Sequence, residues 1–469
     1  MESLPNELLA SIGKYAQDYD FHALTLCSKG LRAVFLPFLF SSYLQRRPRG
    51  LGLGDASMII LLWRHPELAT HVRYFQLAWR SVNNYFEEDS HLGDEFNEFI
   101  DQALDEIFEP EEQACRSKWR KHLQRQCEEA WKALLLMRLT HLQTLELASG
   151  YTEGLVPDIL RKAAHRQRPF HKSPPFPYLR NVEAVPGLMD PAIGSRLILP
   201  FFYFPAVRTI RGLHWSEGRS WKSVCGLKSD ATYRKSIIET PLVPVDHSSR
   251  PVRKLELCTC YRNRDILDWL TACTQLEIVN IGLVLNRDDR NPDDMYTFSA
   301  PELRQALLPF QTTLQKLHLG AVSWRRNDPE ARELIDSPGP MGSLKEFTVL
   351  RDLKLPYAHL LRPSSTSVEV REHLQLLDIL PVSIRTLSIT DIVEDDFHNL
   401  LLELLGLLQQ QASSFPPFYK LERIQFYVEK DIDETSFDLL IRACDPAGIV
   451  LAVEVTPVEI STYRNVINF

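Results

Sequence analysis

The chain has 469 residues, 70 of them leucine, and 44% of its residues are hydrophobic while 24% are charged. This composition excludes a disordered or low-complexity protein, and the length allows about three domains or one long repeat array. The 53 basic and 61 acidic side chains give a net charge of −8. That balance argues against a general binder of nucleic acid or of anionic membranes, which needs clustered lysine and arginine.

The eight cysteines are scattered and too few for a disulfide scaffold. The chain does not open on a basic segment followed by an apolar run, so we predict no signal peptide. The longest apolar stretch near the front, residues 56–63, is far too short to span a membrane. We therefore expect a reduced protein of the cytoplasm or the nucleus that does not bind membranes.

The first forty-five residues predict three short helices. Pro5 suits the first turn of a helix, and apolar residues follow it at helical spacing. Asp20 is predicted to cap a second helix and Ser28 a third, which Pro37 ends. Helices this short cannot bury all of their large apolar side chains among themselves, so some face the rest of the chain or a partner protein. The candidates are Leu4, Leu8, Leu9, Leu36, Leu39 and Phe40.

This segment also resembles a known family. The run Leu4-Pro5-x-Glu7-Leu8-Leu9 and the ordered apolar and polar residues after it are similar to an F-box. F-boxes bind a Skp-family adaptor, which links them to a cullin–RING ubiquitin ligase. The resemblance covers residues 1–45 and implies the following adaptor-binding residues: Leu4, Pro5, Glu7, Leu8, Leu9, Ile12, Leu24, Ser28, Leu31, Leu36 and Leu39.

One short pattern, apolar-x-x-apolar-x-apolar, recurs along the remaining chain. Its last two apolar residues are spaced as in a strand with one buried face, and its second place usually holds Arg, Gln, Glu or Lys. Segments with helical spacing separate the copies, at 266–272, 301–308, 373–380, 399–411 and 434–444. The copies begin at Val72, Leu142, Val207, Val252, Leu276, Leu314, Leu350, Ile384 and Leu421, with a weaker one at Leu179.

A strand followed by a helix, when repeated, stacks into a solenoid. Residues 46–469 thus resemble an irregular leucine-rich-repeat domain, and His65-Pro66-Glu67-Leu68 before His71-Val72-Arg73 resembles the lead-in to the first repeat of fungal F-box proteins. The resemblance implies an α+β protein overall. A small three-helix F-box would precede an α/β leucine-rich-repeat-like solenoid.

A charged segment at about 80–138 interrupts the repeats. Residues 83–112 contain twelve acidic side chains and no lysine or arginine, whereas residues 116–138 are basic. We predict an insertion of two helices, or of one helix and a mobile acidic loop. Its charges either satisfy one another on solvated helices or form an acidic contact surface for a basic partner.

The sequence contains none of the common catalytic or nucleotide-binding signatures that we sought. Cys258-x-Cys260 with Cys273 offers too few ligands and the wrong spacing for zinc. Residues 391–396 are acidic but lack the glycine and the spacing of a calcium loop, so a helix N-terminus or a solvated loop is the alternative. We expect no metal, no cofactor and no catalysis; an unrecognised enzyme built on a repeat domain would instead show a deep pocket with perturbed titratable groups.

In a repeat solenoid the side chains between the buried strand positions point outward, along the concave face. Their mixed charges suggest a protein partner. Tyr427 and Arg423 are the preferred pair, because interface hot spots are enriched in Tyr, Trp and Arg. The predicted target-binding residues are Glu146, Lys254, Glu256, Asn280, Lys316, His318, Lys354, Arg423, Gln425 and Tyr427, and Thr144, Asp352, Thr386 and Ser388 complete the row.

The sequence therefore suggests a substrate-recognition subunit of an SCF-type (Skp–cullin–F-box) ubiquitin ligase. The F-box-like module would dock the adaptor, and the repeats would hold a target protein that the sequence does not name. The alternative is a scaffold or regulatory protein with the same modules and no ubiquitin transfer. Neither hypothesis involves nucleic acid.

Overall fold

The structure, a computed structural model, divides the chain into two compact units, Met1–Ile210 with Lys228–Pro251 and Arg211–Leu227 with Val252–Phe469. Each unit combines helices with parallel strands. The boundary predicted at residue 45 lies inside the first unit. The described residues are 4–13, 15–16, 18–43, 53–78, 93–149, 154–186, 193–216, 251–260, 267, 269–270, 273–285, 299–323, 339–361, 375–392, 394–413, 420–428 and 437–455.

The N-terminal module of the first unit consists of three helices, α1 (Asn6–Gly13), α2 (Asp18–Cys27) and α3 (Lys29–Leu39). The predicted cap at Ser28 is confirmed, because its hydroxyl accepts a hydrogen bond from the Leu31 N–H at 3.2 Å. This bond satisfies one of the backbone donors that a helix leaves open at its start. The module has its own core, which consists of Leu9, Phe21, Leu31 and Phe35 with Ala16, Leu24, Val34, Phe38 and Leu39 packed around it.

Two predicted helix boundaries in this module are wrong. Helix α2 already begins at Asp18, so Asp20 lies inside it. Helix α3 continues through Pro37 to Leu39. A proline in the last turn removes one donor from the helix, and the N–H of the C-terminal cap residue, Phe40, still donates to the Leu36 carbonyl oxygen at 3.2 Å.

The first unit contains a parallel ladder of strands, β1 (Ser42–Tyr43), β2 (Tyr74–Ala78), β3 (Thr144–Ser149) and β4 (Asn181–Pro186). Phe75, Leu145 and Val182 align across β2, β3 and β4, and all three are buried. The repeated pattern therefore predicted β2, β3 and β4 and their buried face correctly, whereas β1 corresponds to no copy of the pattern.

Helices α4 (Leu53–Arg64) and α5 (Pro66–Ala69) precede β2. In its described residues, 93–138, the predicted insertion contains α6 (Asp94–Ile107), α7 (Gln113–Gln124) and α8 (Glu128–Arg138). Its basic half forms two helices rather than one, since Gln126 has a φ of 55° and interrupts the helical path. The unit continues with α9 (Leu155–Ala164), β5 (Ile193–Gly194), α10 (Ser195–Ile198) and a 3₁₀ helix (Leu199–Tyr203); strand β6 (Thr209–Ser216) begins in the first unit and ends in the second.

The part of the second unit that the structure describes contains seven further parallel strands, which pair in chain order. Their register aligns one buried apolar residue from each of six strands, Leu255, Val279, Leu317, Leu353, Leu387 and Ile424. The strands are β7 (Lys254–Cys260), β8 (Ile278–Leu285), β9 (Lys316–Ser323), β10 (Asp352–Pro356), β11 (Thr386–Ile392), β12 (Arg423–Val428) and β13 (Val450–Val455).

The helices of the second unit follow the predicted spacing in part. The segments 301–308 and 399–411 coincide with helices, 434–444 overlaps one, and 373–380 contains a single turn. The segment 266–272 lies mostly outside the described residues. The helices are α11 (Ala300–Leu307), a second 3₁₀ helix (Leu308–Phe310), α12 (Tyr357–Leu360), α13 (Leu376–Ile379), α14 (Glu394–Ser413) and α15 (Asp438–Ala447).

Candidate functional site

Helix α1 presents apolar side chains to solvent. Leu8 and Ile12, one helical turn apart, are 52% and 45% exposed and so share a face. Leu4 directly before the helix is 37% exposed, and Tyr15 beyond its end is 90% exposed. We call Leu4, Leu8, Ile12 and Tyr15 the apolar face of α1. None of these four residues belongs to the buried core of the module.

The remaining residues of the predicted adaptor set have other positions. Leu9 and Leu31 are buried in the module's core, and Ser28 caps α3. Pro5 and Glu7 are exposed at the start of α1, where the Pro5 carbonyl accepts from the Leu8 and Leu9 N–H groups. Leu24, Leu36 and Leu39 are partly buried.

The predicted target-binding residues come together on neighbouring strands, except Glu146, which belongs to the first unit. Glu256, Asn280, His318, Lys354 and Gln425 occupy one register position of β7 to β10 and β12. Two residues earlier on three of these strands stand Lys254, Lys316 and Arg423. We call these eight residues, with Asp352, Thr386, Ser388 and Tyr427, the second-unit strand face.

Glu256 is the acceptor for two basic side chains on this face. Arg211 on β6 donates its Nε–H to Glu256 Oε2 at 2.7 Å, and the Lys254 ammonium lies 3.0 Å from Oε1. Burial would raise the pKa of Glu256, but these hydrogen bonds outweigh it and hold the pKa below its ordinary value. Glu256 is therefore a structural carboxylate, closed off by its own neighbours.

Asp352 has the same role two strands further on. Lys316 Nζ lies 3.0 Å from one of its oxygens, and His318 Nε2 lies 2.9 Å from the other. Burial opposes ionisation of Asp352, yet the hydrogen bonds from His318 and Lys316 lower its pKa. Burial also holds the pKa of His318 below its ordinary value, although Asp352 pulls it upward.

Lys354 and Tyr427 form the aromatic contact of this face. Lys354 Nζ lies 3.9 Å from the centre of the Tyr427 ring, a cation–π distance. Lys354 is buried, and burial lowers the pKa of its ammonium. Tyr427 and Arg423 were the preferred target-binding pair. The Tyr427 ring already contacts Lys354 of the same chain, whereas Arg423 is exposed.

The equivalent surface of the first unit has a different chemistry. We call Tyr74, Gln76, Thr144, Glu146 and Glu183 the first-unit strand face. Tyr74 donates its hydroxyl to Glu146 Oε2, and Gln76 Nε2 donates to Oε1 at 2.7 Å. Burial and this hydrogen bond raise the pKa of Tyr74. The sequence prediction omitted Tyr74, although its position before Phe75 in the first copy of the repeat carried the signal.

A further row of polar residues stands directly before the strands. Backbone N–H groups of Gln143, Arg180 and Arg208 donate to the carbonyl oxygens of Arg73, Gln143 and Arg180 at 2.8–2.9 Å. We call Arg73, Gln143, Arg180 and Arg208 the basic rim. In the second unit the same ladder joins Arg253, Glu277, Gln315, Arg351, Arg385 and Glu422.

The charged insertion is largely paired with itself and with its neighbours. The guanidinium group of Arg116 on α7 pairs with the carboxylates of Asp101 and Asp105 on α6. Arg138 on α8 pairs with Glu106 on α6. Lys162 on α9, only 5% exposed, lies 2.7 Å from Glu112. These pairs agree with the interpretation that the charges satisfy one another, and the acidic contact surface stays a prediction.

Within the described ranges, no group of three or more His, Cys, Asp or Glu side chains could hold a metal ion. Cys273 is buried and donates its Sγ–H to the Trp269 carbonyl oxygen at 3.4 Å, while the side chains of Cys258 and Cys260 lie outside the described residues. The acidic segment 391–396 leads into α14, which begins at Glu394. Among the described helices, none has both the length and the apolar character needed to cross a lipid bilayer.

No protein-family model matches this chain, and none of the curated proteins compared with it is significantly similar.

Proposed function

We propose that this protein is the substrate-recognition subunit of an SCF-type ubiquitin ligase, acting in the cytoplasm or the nucleus. In this proposal the N-terminal module is an F-box that docks a Skp-family adaptor. The strands and helices after it form a leucine-rich-repeat-like solenoid whose strand faces hold a target protein.

The observation that carries the proposal is the apolar face of α1. The three-helix module has a core of its own, and Leu8 and Ile12 lie outside it, exposed and one turn apart. Transferring one such side chain from water into an interface contributes roughly 1.5–3 kcal/mol. Exposed apolar side chains grouped in this way mark a surface that binds another protein.

The parallel strands support the second half of the proposal. Neighbouring strands contribute polar side chains at matched register that are partly or fully exposed, such as Lys316, Thr386 and Arg423. A surface made of many short, similar steps suits a long, shallow contact with a protein rather than a small ligand. The chain itself would do no chemistry, and its contribution would be to hold the target close to the ubiquitin-charged enzyme.

The proposal is tested by purifying the tagged full-length chain from cells and measuring the Skp-family adaptor and the cullin that accompany it. Wild type is expected to retain both, and the double variant Leu8→Ala/Ile12→Ala to lose both. The matched control Leu402→Ala/Leu439→Ala removes two equally exposed leucines from α14 and α15 and is expected to behave as wild type. Retention of adaptor without cullin would instead favour the scaffold alternative, and no adaptor on wild type would refute docking.

A further inference from the structure

We propose that the basic rim of the first unit binds an acidic segment of a protein partner. The inference deepens the proposed function and rests on it in one respect, namely that this partner is the target protein. Its basis is the charge and the backbone geometry of Arg73, Gln143, Arg180 and Arg208.

The backbone ladder fixes the spacing of the rim. Gln143, Arg180 and Arg208 each bond through their N–H to the preceding member of the row, and neighbouring strands lie about 4.8 Å apart. Arg180 and Arg208 therefore stand on adjacent steps, and Arg73 stands two steps before Arg180. Arginine presents N–H donors in a planar fork that matches a carboxylate, so this row offers several carboxylate sites along one line.

The turns that carry the rim contain no acidic residue. The segments 70–73, 140–143, 177–180 and 205–208 include three arginines and two histidines and lack Asp and Glu. Arg73 Nη1 donates to the His141 carbonyl oxygen at 3.0 Å, and Arg208 Nη1 to the Pro205 carbonyl oxygen at 3.3 Å. At Arg73 the acceptor is a neutral carbonyl, which orients the guanidinium group without cancelling its charge.

The pKa of His141 is consistent with a positive electrostatic potential at the basic rim. This pKa is lowered first by burial and then by the nearby charges of Arg73 and His71. The His141 ring stacks on the exposed ring of Tyr178, with the centroids 4.8 Å apart. The rim therefore combines basic side chains with an aromatic surface, the two features that recur at protein interfaces.

The strand face next to the rim favours a peptide over a nucleic acid. Glu146 and Glu183 stand three residues beyond Gln143 and Arg180, on the strands that follow those two residues. Three residues span about 10 Å in an extended strand. A polyanion that continued from the rim onto this face would meet these carboxylates. A peptide can instead place acidic residues on the rim and polar or basic residues beside Glu146 and Glu183.

The test measures fluorescence anisotropy of two labelled peptides with the full-length chain, one in which glutamate alternates with serine and one with glutamine in place of glutamate. The glutamate peptide is expected to bind, and more weakly as salt is added. In the variant Arg73→Gln/Arg180→Gln, binding should weaken at least about tenfold, since two charge-assisted contacts are lost. The control Lys121→Gln/Lys172→Gln removes the same charge from exposed sites of the same unit and should leave binding unchanged.

The single variant Arg180→Gln guards against misfolding, because its side chain is exposed; a loss of about threefold is expected for one solvated contact. Equal binding of both peptides, or equal affinity of wild type and both rim variants, would overturn the proposal. Tighter binding of a single-stranded oligonucleotide than of the glutamate peptide would also overturn it. The assay contains no adaptor, so failure of adaptor docking and failure of the rim are separate results.

Discussion

The two units repeat one strand pattern, yet they neutralise charge in different ways. Before the strands of the second unit, Arg253 pairs with Glu277 at 3.0 Å and Arg385 with Glu422 at 3.1 Å. The basic rim of the first unit occupies the same position of the ladder and has no glutamate in the row. The repeat thus fixes where a polar side chain stands, and the residue on the neighbouring strand decides whether its charge is cancelled.

The strand faces show the reverse arrangement. Glu146 in the first unit is held by the neutral donors Tyr74 and Gln76, whereas Glu256 in the second unit is held by the cations Arg211 and Lys254. The stability that Glu256 contributes is expected to be lost in acid, and the stability that Tyr74 contributes is expected to be lost in alkali.

The largest effect is expected for Glu256→Gln. The substitution leaves Arg211 and Lys254 without their shared carboxylate, and because both cations are partly solvated we expect a loss of about 1–2 kcal/mol in the free energy of unfolding at pH 7. The measurement is urea unfolding of wild type and variant. A variant as stable as wild type would show that this carboxylate is not needed by its neighbours.

The stability difference between wild type and Glu256→Gln is also expected to depend on pH. The folded state lowers the pKa of Glu256, so its stabilisation is present above the unfolded value of about 4.3 and is lost as the pH falls below it. The stability difference between wild type and Glu256→Gln should therefore shrink under acid. A difference that stays constant with falling pH would contradict the assigned ion pairs.

A smaller and opposite effect is expected for Tyr74→Phe, which removes the hydrogen bond to Glu146 at a cost of about 1 kcal/mol. The folded state raises the pKa of Tyr74. The stability that the Tyr74 hydroxyl contributes is therefore present below the unfolded-state pKa of about 10 and is lost as the pH rises above that pKa. Unfolding at neutral and alkaline pH measures it, and a difference that persists at alkaline pH would count against the bond.

The smallest change in stability is expected when an arginine directly before a strand is replaced, and its sign should differ between the two units. Arg253→Gln breaks an exposed ion pair and should cost at most about 0.5 kcal/mol, whereas Arg180→Gln should cost nothing or stabilise slightly by relieving repulsion within the rim. Added salt should remove the difference, because it screens exposed charges. An equal loss in both variants would mean that the rim is neutralised after all.

The sequence could predict those features that depend on neighbours along the chain. The alternation at Leu145 and Leu147 identified a strand with one buried face, and the Ser28 hydroxyl identified a helix start. Pro37 was misleading, because a proline in the last turn does not end a helix that its neighbours continue. The break at Gln126 had no signal, since glutamine rarely adopts a positive φ.

The candidate sites depend on neighbours across strands, and these were harder to predict. Arginine at the second place of the repeated pattern was visible in the sequence, but the register decides that Arg253 meets Glu277 and that Arg180 meets Arg208. The resemblance to an F-box also placed Leu9 and Leu31 among the adaptor residues, whereas packing of the three helices directs both into the core. Only the folded module separates its core from the apolar face of α1.

The most direct test of the account is calorimetric titration of the purified full-length chain with a purified Skp-family adaptor. We predict that wild type binds and that Leu8→Ala/Ile12→Ala weakens binding about a hundredfold, since two anchoring side chains are truncated. The control Leu402→Ala/Leu439→Ala should bind as wild type does. No binding by wild type, or equal binding by all three proteins, would contradict the assignment of the N-terminal module as the adaptor-docking surface.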